Sequence, residues 1–210
     1  GDASSLAWTA RNTLTPTTGL TERTTKGALH GLISQVNIVL NPVTIMYFRP
    51  PLAVREYVRL NPTRNYAIWF WYQITRINPG SSTNMREAID GNSASISSNN
   101  LFTSIFGNTI GAPARTAINK PTGWTGTVPA SDTNHNAAYP SWGNTPGYTS
   151  LQTTNCKSFV LYRVHIVDVA LSGKTYTELE ADDLALFNSL FGAGGRLNGD
   201  SWALTPASLA

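Results

Sequence analysis

A chain of 210 residues that is 41% hydrophobic, with 6 Trp, 8 Tyr and 7 Phe, carries enough apolar surface for one well-buried core, so its low charged fraction of 13% does not signal disorder. The net charge of +3 comes without any Lys/Arg run, which argues against a nucleic-acid partner; Arg49, Arg55, Arg59 and Arg64 read as a solvated or ion-paired face. A single cysteine excludes an intrachain disulfide, and no apolar run approaches the roughly 18 residues of a membrane-spanning helix.

Polarity comes instead from 26 Thr, 18 Ser and 18 Asn, together 62 of the 210 residues. Thr favours strands and Asn and Ser favour turns, so many short strands joined by ordered loops are expected. No signal-peptide pattern opens the chain. Asn61 is followed by Pro62, so the chain has no usable N-x-S/T glycosylation site.

Residues 1 to 30 are Thr-rich and read as an N-terminal arm or an irregular first strand, with residues 31 to 210 as a single domain. In residues 32 to 40, Val36, Ile38 and Leu40 alternate with Gln35 and Asn37 as in a half-buried strand. Asn41-Pro42 turns the chain into "VTIMYF", apolar on both sides as in a central strand. Pro51 opens a short helix with Leu52, Tyr57 and Leu60 inward, and Asn61-Pro62 stops it.

The strongest strand is "NYAIWFWYQITRI". It sets Tyr66, Ile68, Phe70, Tyr72 and Ile74 on one face and Trp69 and Trp71 on the other, so both faces need cover. Asn78-Pro79-Gly80 is a turn. Residues 81 to 120 read as short apolar pieces in polar loops, and residues 121 to 150 as one long irregular stretch of the kind that carries function or forms a lid.

Cys156 reads as a small buried residue just before "SFVLYRVHIVD", a second strand with Val160, Tyr162, Val164 and Ile166 on one face. Thr177 and Glu180 have capping-box spacing, and Leu179, Leu186, Phe187, Leu190 and Phe191 form one helical stripe ended by Gly192. The fold class expected is all-β: a two-sheet antiparallel sandwich with one or two short helices.

The element order carries a resemblance. An aromatic strand ending in "ITRI" is followed much later by "FVLYRVHIVDV", which leads through "LSGKTY" into an amphipathic helix and "FGAGGRLNGD". Across roughly residues 30 to 200 this resembles the concanavalin-A-like, laminin-G-type jelly-roll sandwich of phage tail, fibre and capsid-decorating proteins. The resemblance implies an oligomeric protein on a virion or extracellular surface. The chain lacks a calcium-binding pattern like that of the sugar-binding relatives.

The richest candidate site is the long loop, where Trp124, Tyr139, Trp142 and Tyr148 lie among Asp132, Asn134, His135, Asn136 and Asn144. Rings that stack on a sugar face, beside carboxylate and amide groups that pair with hydroxyls, suit a glycan. The same rings also suit pinning an irregular loop onto a sheet. Asp132 and Asn134 are too few oxygen donors for Ca²⁺, which takes about six or more, and Asx-turn bonding explains them. Glu178, Glu180 and Asp182 alternate like a glycosidase cluster, yet the following "LALFNSLF" makes them the first turn of a helix, where the dipole favours acids. His30, His135 and His165 have no metal-ligand spacing and read as structural; His165 is expected exposed or paired with Asp168 or another carboxylate. No nucleotide-binding or nucleophile motif occurs.

The expected protein is therefore a non-enzymatic virion or surface structural protein that self-assembles or docks on a particle, without metal or cofactor. The alternative is a lectin module using the 121 to 150 loop, and a third reading is a glycan-cleaving enzyme. The partners expected are copies of itself, other virion proteins or carbohydrate, with no nucleic acid and no membrane.

Overall fold

The computed structural model describes residues 7–36, 45–77, 87–92, 99–143 and 157–209. It is an all-β sandwich of antiparallel strands with two short helices. In chain order the strands are β1 (Thr9–Asn12), β2 (Gly19–Arg23), β3 (Leu29–Ile33), β4 (Ile45–Arg49), β5 (Tyr66–Arg76), β6 (Ala88–Asn92), β7 (Asn100–Ser104), β8 (Ala114–Lys120), β9 (His135–Ala138), β10 (Ser141–Gly143) and β11 (Ser158–Asp168). Helix α1 (Leu52–Leu60) joins β4 to β5, and α2 (Tyr176–Phe191) follows β11. Among the described residues no helix is long and apolar enough to cross a membrane.

One layer is the five-stranded sheet β2-β3-β11-β5-β8. The strands facing it fall into two small sheets, β1-β4-β10 and β7-β6-β9, where a single second sheet is expected from sequence. These two are stitched at Tyr139–Pro140, where the chain leaves β9 for β10. Tyr139 N–H donates to Phe48 O, Phe48 N–H to Pro140 O, and Ser141 N–H to Glu87 O. The second layer is thus one surface with a break in it.

The aromatic strand lies where its two apolar faces require. Tyr66, Ile68, Phe70, Tyr72 and Ile74 enter the main core, meeting Phe102, Tyr139 and Trp142 from the opposite layer. Trp69 and Trp71 point the other way and are sealed by α2: Trp69 stacks on Tyr176 at 5.9 Å, and Trp71 meets the edge of Phe187 at 5.4 Å. β4 is the central strand of its sheet, as its two-sided apolar pattern implies.

Several local expectations are corrected. α1 buries Arg55 and Val58, while Leu60 is 66% exposed. Arg55 turns inward because Asp132 and the Pro50 carbonyl satisfy its guanidinium. The α2 capping box is Thr175 with Glu178, two residues earlier than the equally spaced Thr177 and Glu180, because Glu180 is taken by Arg115. The only fully buried residue of α2 is Asp183, and Leu186 of the expected inward stripe is exposed.

The segment read as polar loops contains β6, β7 and β8. The segment read as an arm supplies β1, β2 and the start of β3. The expected strand around Ile38 and Leu40, and Cys156, lie outside the described residues.

Candidate functional site

The stretch 121 to 150, expected to be one long irregular loop, instead contains β9 and β10, whose pairing in the second layer delivers its described rings to the core. Trp142 and Tyr139 are fully buried and Trp124 nearly so. Trp142 stacks on Phe159 at 4.4 Å and donates Nε1 to the Phe159 carbonyl. His135 is buried too, with Nε2 on Asp90 and the Trp124 ring edge-on at 5.5 Å. Asp132 accepts from Arg55 and lies 3.8 Å from Arg49. Asn134 is exposed in a short 3-10 turn, and Tyr148 and Asn144 lie outside the described residues. Trp124, Tyr139 and Trp142 are seated against the sheets and present no stacking face to solvent.

The acidic run is spoken for by α2. Glu178 caps the helix, and Asp182 pairs with exposed Lys174. Glu180 accepts from Arg115 Nη2 at 2.6 Å and from Trp69 Nε1. Asp183 accepts from Trp71 Nε1 at 3.0 Å, Arg115 Nε at 3.1 Å and Arg163. This face of the sheet therefore presents cations and indole N–H groups, and the helix turns carboxylates toward it. His165 stacks on Trp69 rather than pairing with Asp168, and burial followed by the Arg163 charge holds its pKa below the usual value. Asp168 is bound by Tyr57 at 2.6 Å and Arg64 at 2.9 Å. Among the described residues no group of three or more His, Cys, Asp or Glu is placed to hold a metal ion.

Two features remain open. The first is the outer edge of β8. Its pairing with β5 runs without a bulge from Ala114 opposite Tyr72 to Lys120 opposite Tyr66. From Ala114 to Asn119 its outward main-chain groups bond nothing else among the described residues. The opposite edge, β2, is fastened by the C-terminal segment. Thr25 N–H donates to Ser201 O, Asp200 binds Thr25 and Lys26, and Glu22 accepts from Ala203 and Leu204 N–H.

The second is a groove of about 300 Å³ at the break between the layers. β3 accompanies β11 only as far as Leu29 opposite Leu161, so β11 runs on from Tyr162 with one side unpaired among the described residues. A bulge between Leu161 and Arg163 sits at that point. Trp8, Phe48 and Tyr139 wall the groove from the opposite layer, and Arg23 stands at its rim.

Sequence patterning missed both features. Small residues in "ARTAINK" mask the alternation of β8, although Pro113 and Pro121 bracket it as strand boundaries. Trp8 lies far from the rest of the groove in sequence, and neither it nor the Arg23–Leu29 hairpin carries a motif. Comparison with known proteins finds no family model, no curated protein and no solved structure that matches this chain.

Proposed function

We propose that this protein is a non-enzymatic structural protein of a virion or other surface, which assembles by pairing β8 with the same strand of a second copy. The observation that supports this is the unbulged edge of β8, whose outward main-chain groups from Ala114 to Asn119 bond nothing else among the described residues. A flat edge of this kind is a template for another strand, and proteins that stay monomeric guard it. Beside β2 the tail binds Thr25, Lys26 and the Glu22 carboxylate, and β11 is bulged where its pairing with β3 ends. β8 carries neither device.

Antiparallel pairing about a two-fold axis at Ala117 sets Thr116 opposite Ile118, Arg115 opposite Asn119 and Ala114 opposite Lys120. No like charges oppose each other in that register. Arg115 is already neutralised by Glu180 and Asp183 on the α2 side. Two five-stranded sheets would then run on as one, over an edge of about 23 Å at roughly 3.3 Å per residue.

Light scattering across the micromolar range tests this reading. A stable oligomer is expected, and Asn119→Lys, which sets a second cation against Arg115 of the facing copy, shifts it toward monomer while the circular dichroism of the folded chain is retained. A monomeric wild-type chain overturns the proposal. Trp124, Tyr139 and Trp142, being buried, lend the lectin reading no support. The glycanase reading asks for facing carboxylates, and among the described residues none lines the groove.

A further inference from the structure

We infer that the groove between Trp8 and the β11 bulge binds a small ring that carries a carboxylate, the chemistry shared by sugar acids and aromatic acids. The inference is independent of assembly, because β8 lies at the other side of the five-stranded sheet from β2 and β3. At about 300 Å³ the groove is at the lower end of ligand sites and fits one ring with its substituents.

Its walls are of two kinds. Trp8 is 39% exposed and is held edge-on to Tyr139 at 6.4 Å, so an indole surface stands ready at the mouth. With Phe48, Leu161 and Val164 it forms an apolar slot for a ring face. The facing wall is the Gly27–Ala28 turn with Tyr162 and Arg163 of β11, whose polar side-chain ends are engaged by Gln73 and Asp183 and whose main chain is unpaired on the β3 side among the described residues. Donors and acceptors of this sort need polar partners, which a plain hydrocarbon ligand would leave unsatisfied. An extended peptide is disfavoured because the bulge breaks the regular spacing that an added strand would pair with.

The charge has one sign. Among the described residues no carboxylate lines the groove, while Arg23 and Arg163 do. Arg163 is engaged by Asp183 and lies over the Trp71 ring on the α2 side. Arg23 is exposed, and its one bond among the described residues is from Nη1 to the Gly27 carbonyl at 2.9 Å. Its remaining N–H groups are free to grip a carboxylate in fork geometry, and the bond to Gly27 fixes the guanidinium at the rim.

The test is a titration of uniformly nitrogen-15-labelled protein, read by NMR at the tryptophan indoles and arginine side chains, with glucuronate, benzoate, glucose and inorganic phosphate. Light scattering on the same samples separates binding from oligomeric state. We expect glucuronate, benzoate or both to move the Trp8 indole signal. Arg23→Gln weakens the carboxylate ligand about tenfold, the scale of one charge-assisted hydrogen bond, and leaves glucose unaffected. Trp8→Ala abolishes the response that Trp8→Phe retains in a second reporter, the Arg23 side-chain resonance. Binding of glucuronate alone assigns sugar acids, and of benzoate alone aromatic acids. The inference is overturned if neither carboxylate moves Trp8, if phosphate competes as well as they do, or if Arg23→Gln binds them as tightly as wild type.

Discussion

The Trp142 indole lies directly against the backbone of Gly31: a Cβ at position 31 would stand 2.5 Å from Trp142 Cδ1 and 2.6 Å from Nε1. Gly31 is thus the notch in β3 that admits the one large ring linking β10 to β11 through the Phe159 carbonyl. Gly31→Ala forces the ring out of its slot, and overpacking of this kind costs about 1–3 kcal/mol. Chemical denaturation should show that loss with an unchanged dependence on denaturant.

Trp142→Ala empties the same slot from the other side. The ring is fully buried, stacked on Phe159 and edge-on to Phe48 at 6.1 Å. A loss of about 3–5 kcal/mol is expected, as for other buried aromatic truncations. Retention of wild-type stability would show that the 121 to 150 loop does not anchor the layers.

Asp183 ties α2 to the sheet through Trp71, Arg115 and Arg163. Asp183→Ala leaves two arginines without that carboxylate beneath the helix, and breaking a buried pair costs roughly 3–5 kcal/mol. Circular dichroism on heating should show helix signal lost ahead of strand signal, because strand-to-strand pairing does not pass through Asp183.

Acid should destabilise the fold in two stages. Burial holds His30 below its ordinary 6.5, only partly offset by Glu22, and burial with the Arg163 charge does the same for His165. The unfolded chain then takes these protons first, so this contribution is complete above pH 6.5 and is lost as pH falls from there through the depressed values. For Glu22 burial acts upward, but bonds from His30, Leu204 and Ala203 outweigh it and hold the carboxyl below 4.5. Its contribution is present above pH 4.5 and lost below, which frees the C-terminal segment from β2.

Glu87 runs the other way. Burial raises it despite Lys157, so its share shrinks as pH rises from 4.5. The histidine stage is therefore read as a difference: the urea midpoint of wild type should fall between pH 7.5 and 5.5 more than that of His30→Gln combined with His165→Gln. An equal fall in both proteins contradicts the assignment.

The sequence made the two long strands and both helices legible because their apolar periods are strong and uninterrupted. Tyr66 to Arg76 is apolar on two faces, and only a mid-layer strand with a helix on one side covers both. β6, β7 and β8 were not legible. β6 and β7 bury small residues such as Ala88, Gly91 and Ser104 through pairing and packing with segments distant in sequence, and no local pattern reports that. The orientation of α2 was hidden for a related reason. Its apolar stripe says inward, yet Arg115, Arg163 and two indole N–H groups on the sheet draw Asp183 and Glu180 in. The candidate glycan rings were legible as a cluster, but burial, which decides what a ring can touch, is a property of the folded layers.

Assembly through β8 is tested most directly by amide hydrogen exchange of residues 114–120 as the protein is diluted. Edge pairing has the outward amides of β8 exchanging slowly at high concentration and quickly on dilution, while β5 stays protected throughout. Exchange at β8 that is fast and independent of concentration contradicts it.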